Sequence, residues 1–75
     1  MAKLPRISGQ DAVRALERLG FRQVRQRGSH AFLRKSTPEG DVGVPAPLHR
    51  ELASGTLRGI LKLARVDLED FIANL

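Results

Sequence analysis

The chain contains no cysteine, no tryptophan and no tyrosine, and only three phenylalanines among its 75 residues. Without cysteine, disulfide stapling and thiolate metal sites are excluded, and the cell interior is the simpler location. Two histidines do not make a zinc site by themselves, so no metal and no cofactor is expected. No run of apolar residues is long enough to span a membrane. The opening Met1-Ala2-Lys3-Leu4-Pro5-Arg6 lacks the apolar stretch of a signal peptide. A soluble, cytoplasmic protein is the expectation. Acidic residues are also scarce, eight against thirteen basic ones, for a formal net charge of +5. The shortage is local: residues 22–35 hold no acid at all, whereas Asp67-Leu68-Glu69-Asp70 is acidic. A basic excess can serve solubility alone, but this distribution favours a polyanionic partner such as nucleic acid.

A chain of this length is expected to form one domain, residues 1–75, with a thin core and a stability of roughly 3 to 5 kcal/mol. A deep, buried active site is not expected. Residues 1–7 read as an extended lead-in, with Pro5 keeping Leu4 out of helical geometry. Ser8 has the character of an N-cap and Asp11 supports the first turn. Ala12, Val13, Leu16 and Leu19 then recur at helical spacing up to Gly20, which predicts a helix over Gly9–Leu19 with Phe21 folding back onto it. Arg14 and Arg18, four apart on its outer face, read as solvated.

Between Phe21 and Leu33 two short strands flank Gly28-Ser29, the Gly-first pair that a two-residue type II′ turn requires. Folding about that turn pairs Arg27 with His30, Gln26 with Ala31, Arg25 with Phe32 and Val24 with Leu33. Val24, Ala31 and Leu33 then face a core. Arg25, Arg27, His30, Phe32 and Arg34 share the other face. Thr37-Pro38-Glu39-Gly40 suits a type I turn into a third strand, Asp41–Val44, that ends at Pro45 because Pro45-Ala46-Pro47 forbids regular pairing. Ser54-Gly55-Thr56 announces a second helix with Leu57, Ile60, Leu61 and Ala64 inward and Arg58, Lys62 and Arg65 outward. Asp67, with Asp70 three residues on, caps a last short helix whose Leu68, Phe71, Ile72 and Leu75 pack inward.

The fold class is therefore α+β, a two-layer arrangement of order α-β-β-β-α with a short C-terminal helix. The double-stranded-RNA-binding domain has this order of elements. Order alone does not establish RNA binding.

With the elements assigned, the sequence resembles the HicA-type toxins, or YcfA-like mRNA interferases, of toxin–antitoxin pairs. The likeness runs from Leu4-Pro5-Arg6-Ile7-Ser8-Gly9 through Leu19-Gly20-Phe21 and Arg25-Gln26-Arg27-Gly28-Ser29-His30. It continues in Pro47-Leu48-His49-Arg50-Glu51-Leu52 and Gly55-Thr56-Leu57-Arg58-Gly59-Ile60-Leu61. The resemblance implies a dsRNA-binding-domain-like fold, cleavage of messenger RNA leading to growth arrest, and a HicB-type antitoxin that covers the active site. The histidine of the family's Gly-Ser-His motif falls on His30. Two departures stand out. Val44-Pro45-Ala46-Pro47 adds prolines after the third strand, and Arg65 occupies the region where a glycine usually separates the last two helices, which implies a kink there.

RNA can be cut without a metal when a base deprotonates the adjacent 2′-hydroxyl, cations stabilise the phosphoryl oxygens, and an acid protonates the leaving oxygen. Histidine, with an unperturbed pKa of about 6.5, suits the first or last task. His30 is thus the candidate general base. Arg25, Arg27, Ser29, Arg34, Lys35 and Arg58 are candidate RNA contacts, and Phe32 offers a stacking face unless it belongs to the core. His49, in a Pro-rich loop, is a possible auxiliary acid or a solvated residue. The rival reading is a non-catalytic RNA-binding module.

Overall fold

A computed structural model describes residues 3–75; Met1 and Ala2, the start of the predicted lead-in, lie outside the described residues. Helix α1 spans Gly9–Arg18, strands β1, β2 and β3 span Arg22–Arg27, His30–Thr37 and Gly40–Pro47, and helices α2 and α3 span Ser54–Ala64 and Leu68–Ala73. The strands form one antiparallel sheet in the order β1-β2-β3. This is the predicted α+β layout.

Local chemistry accounts for α1 at both ends. The Ser8 hydroxyl accepts the Asp11 N–H at 3.0 Å and the Asp11 carboxylate accepts the Ser8 N–H at 3.4 Å, which closes a capping box. At the other end Gly20 takes φ +101°. Its N–H donates to the Glu17 carbonyl at 3.0 Å and that of Phe21 to the Leu16 carbonyl at 2.9 Å. These two bonds form a Schellman motif, which turns the chain and drops Phe21 into the core.

The helices cover one face of the sheet. Ala31, Leu33, Val42, Val44 and Ala46 project from β2 and β3 against Ala12, Val13 and Leu16 of α1 and Leu57, Ile60 and Leu61 of α2. Phe71 of α3 is fully buried in the same core. β1 contributes nothing to it, every residue of that strand being exposed.

Five expectations are corrected, the last of them at the α2–α3 break. Val24 is not opposite Leu33: a bulge between Gln23 and Arg25 pairs Gln23 with Leu33, and Val24 is left 46% exposed. An edge strand with no buried residues has no apolar alternation to hold its register, so an extra residue is easily accommodated. Secondly, β3 does not stop at Val44 but runs to Pro47, with Pro45 opposite Phe32 and Pro47 opposite His30. β3 is an edge strand, and prolines two apart turn both nitrogens to its free side while Ala46 keeps its polar groups toward β2. Thirdly, Asp67 occupies the N-cap of α3 as expected, but its side chain makes no cap bond; α2 begins at Ser54 after Ala53, likewise without one. Fourthly, Leu75 is 44% exposed, beyond the end of α3.

The α2–α3 break is a clean stop, not a kink. Arg65 adopts the left-handed conformation, φ 58° and ψ 43°, and the Val66 N–H donates to the Leu61 carbonyl at 3.1 Å. Glycine's usual task is performed here by a residue with a Cβ.

Candidate functional site

The site starts at the β1–β2 turn. Gly28 takes φ +57°, the only positive φ in the two-residue turn, as a type II′ geometry needs. The Gln26 side-chain amide donates to the Gly28 carbonyl at 3.1 Å and steadies the turn from one side. From the other, the Leu48 N–H donates to the Ser29 carbonyl at 2.6 Å. His30 is then the first residue of β2, exposed, with Arg27 and Pro47 as its cross-strand neighbours.

Because alternate residues share a face, the register builds the helix-free side of the sheet in rows. Arg27, His30 and Pro47 form the first row. Arg25, Phe32 and Pro45 form the second, with the bulged Val24 beside Arg25. Arg22, Arg34 and Gly43 form the third. The Arg25 guanidinium lies over the Phe32 ring, 5.1 Å from its centroid, a cation–π contact that couples the two side chains. Asp41 is the one acid these strands bring to this side, and it sits at the far end from His30, accepting the Ser36 hydroxyl at 3.2 Å. The open face therefore carries four guanidiniums spread over three rows, with one imidazole in the end row.

Of the residues singled out from sequence, Arg25, Arg27, Ser29, His30 and Arg34 come together here. Phe32 is half-buried on the open face, not in the core. Lys35 does not join them. It points to the helical side, where its ammonium donates to the Leu19 carbonyl at 2.9 Å and lies 5.7 Å from the Phe21 ring centroid. Arg58 is elsewhere too: with Lys62 and Arg65 it borders a groove floored by Leu4, Leu61, Val66 and Leu68. His49 is exposed in the loop after β3, two residues along the chain from Pro47, and its carbonyl accepts the Gly9 N–H at 2.9 Å.

Arg22 is the residue that sequence reasoning missed. Without the bulge it would stand opposite Lys35 on the helical side; with it, Arg22 pairs with Arg34 and joins the open face. The one signal was Val24, a lone apolar residue in a polar strand. Arg18, read as solvated, donates to the Asn74 carbonyl at 2.8 Å and ties α1 to the end of α3.

Among the described residues, no group of three or more His, Asp or Glu side chains is arranged to hold a metal ion. No helix of the described residues is long and apolar enough to cross a membrane. What the open face offers is an imidazole within reach of solvent, a field of cations, and one half-buried aromatic ring. No curated protein matches the chain. A family model described as the HicA toxin of bacterial toxin-antitoxin matches residues 9–66, from the start of α1 past the end of α2.

Proposed function

This chain belongs to the HicA family, the toxins of bacterial toxin–antitoxin systems, and on that footing we propose that it is a metal-independent endoribonuclease acting on messenger RNA in the cytoplasm. The observation that carries the reading is the exposed His30 at the end of an acid-poor sheet face bearing Arg22, Arg25, Arg27 and Arg34. His30 takes the proton from a 2′-hydroxyl. That oxygen forms a bond to the adjacent phosphorus, the bond to the 5′-oxygen breaks, and the departing oxygen is protonated by solvent or by a second acid. Arg27 and Arg25 neutralise the charge that gathers on the phosphoryl oxygens. Ser29, in the turn, offers a hydroxyl to the same phosphate.

A HicB-type antitoxin of acidic character silences the toxin by covering this face, since like charges on toxin and inhibitor would repel. A shallow site with one positioned base gains about 10²- to 10⁴-fold from it. Such an enzyme acts slowly, which suits growth arrest better than digestion.

The products test the reading. Purified protein incubated with RNA in EDTA is expected to leave 2′,3′-cyclic phosphate and 5′-hydroxyl ends. Fragments with 5′-phosphate ends would contradict the 2′-hydroxyl mechanism. Salt-sensitive binding with no fragments at all would favour the non-catalytic RNA-binding module.

A further inference from the structure

Beside the bulged Val24 the open face carries a cleft of about 390 Å³, bordered also by Arg25, Phe32, Arg34, Gly43 and Pro45. We propose that this cleft holds one unpaired nucleobase of the RNA, next to the phosphate attacked at His30. The proposal rests on the nuclease reading above and specifies which part of the substrate each residue takes.

Three features of the cleft favour a base over a phosphate. One of its borders is Gly43, the one position in the Arg22–Arg34–Gly43 row without a side chain, so a flat ring can lie against the backbone there. A Cβ built on Gly43 would meet only the Leu33 carbonyl oxygen, at 4.0 Å, so the space above it is open. Its walls are apolar or planar: Phe32 and Pro45, paired across β2 and β3, lie on one side, Val24 extends the surface, and the Arg25 guanidinium lies over the Phe32 ring. Aromatic and guanidinium planes are the surfaces on which single-stranded bases stack.

Arg34 closes the other side, where it can reach the backbone phosphate or the edge of the base. Position also fits. Phe32 is two residues from His30 on the same strand and the same face, roughly 7 Å away, about one step of extended RNA. The base in the cleft therefore neighbours the scissile phosphate. A duplex cannot offer it, because a paired base is stacked in its helix and cannot lie flat on the sheet. The cleft thus restricts the enzyme to unpaired RNA and gives it a base to read.

The test uses His30→Ala protein, so that nothing is cut, and fluorescence anisotropy with three labelled probes at low salt. These are a twelve-nucleotide single strand, the same strand in a duplex, and a ribose-phosphate strand of equal length with no bases. The expected result is binding of the single strand about tenfold or more tighter than the abasic strand, with the duplex on the weak side. Gly43→Val places a branched side chain in the cleft, its Cβ meeting nothing closer than the Leu33 carbonyl oxygen at 4.0 Å, and should reduce the difference between base-bearing and abasic strands. Phe32→Leu should reduce that difference. Arg27→Ala should weaken both strands alike. Equal binding of abasic and base-bearing strands would overturn the proposal, as would a Gly43→Val protein that tells them apart as well as the parent does. If no probe binds, the nuclease reading fails as well; if binding is sound but indifferent to bases, only the cleft assignment fails.

Discussion

Leu48 donates its backbone N–H to the carbonyl of Ser29 at 2.6 Å, one step past the Pro47–His30 pair that ends the β2–β3 ladder. The turn that presents His30 is thereby fastened to the loop that carries His49. The Gly9 N–H, donating to the His49 carbonyl at 2.9 Å, fixes the same loop to the start of α1. Both links are made by backbone. Removing the His49 imidazole should leave the loop in place, so His49→Ala is expected to hold stability within about 0.5 kcal/mol. RNA cleavage by that variant should fall less than tenfold. A loss as large as that of a His30 variant would make His49 the missing acid.

Gly9 brings the start of α1 against the backbone at the end of β3. A Cβ there would collide with the Pro47 carbonyl oxygen and come within 2.8 Å of the Leu48 Cα, both of them backbone. Gly9→Ala should therefore cost about 1 to 3 kcal/mol. In a domain of this size that lowers the melting temperature by roughly 4–8 °C per kcal/mol, a shift that thermal denaturation followed by circular dichroism would detect.

Lys35 lies among basic residues in sequence yet serves the fold. Its ammonium satisfies the Leu19 carbonyl at the C-terminal end of α1, where a cation is favoured. Lys35→Met should lower stability by about 1 to 2 kcal/mol through the lost charged hydrogen bond, while leaving RNA affinity unchanged within error. Arg34→Ala should do the opposite, weakening binding and reducing the log–log salt slope by about 0.7. Parallel melting curves and salt titrations of the two variants check this reversal.

Arg65 is a non-glycine residue at φ 58°. Left-handed geometry costs an L-residue with a Cβ roughly 1–2 kcal/mol, and glycine removes that cost at some expense in chain entropy. Arg65→Gly is accordingly expected to stabilise the protein by up to about 1 kcal/mol. Denaturant unfolding with an unchanged m-value and a raised midpoint is the expected readout.

Much of this was legible in the sequence where the signal is local. Ser8 with Asp11, Gly20 with Phe21 and Gly28 with Ser29 each carry their geometry within a few residues, and the structure has each as expected. The apolar periodicity of β2 and α2 likewise identified the buried faces correctly. What failed was non-local. Nothing in Arg22–Arg27 fixes its register, because that strand buries no side chain, so the bulge and the move of Arg22 to the open face left no trace beyond the lone apolar Val24. The prolines of β3 read as a strand end because their free side is a property of the sheet order, not of the residues. Lys35 reads like its basic neighbours until the end of α1 is seen beneath it.

The central claim is that the exposed imidazole of His30, set in a row with Arg27 and Pro47, performs the chemistry. Its most direct test is single-turnover cleavage of a labelled single-stranded RNA in EDTA by the native protein and by His30→Ala, with equal melting temperatures and equal RNA affinity as controls. The account predicts a rate lower by about 10²-fold or more in the variant, with binding intact. Equal rates from the two proteins would contradict it.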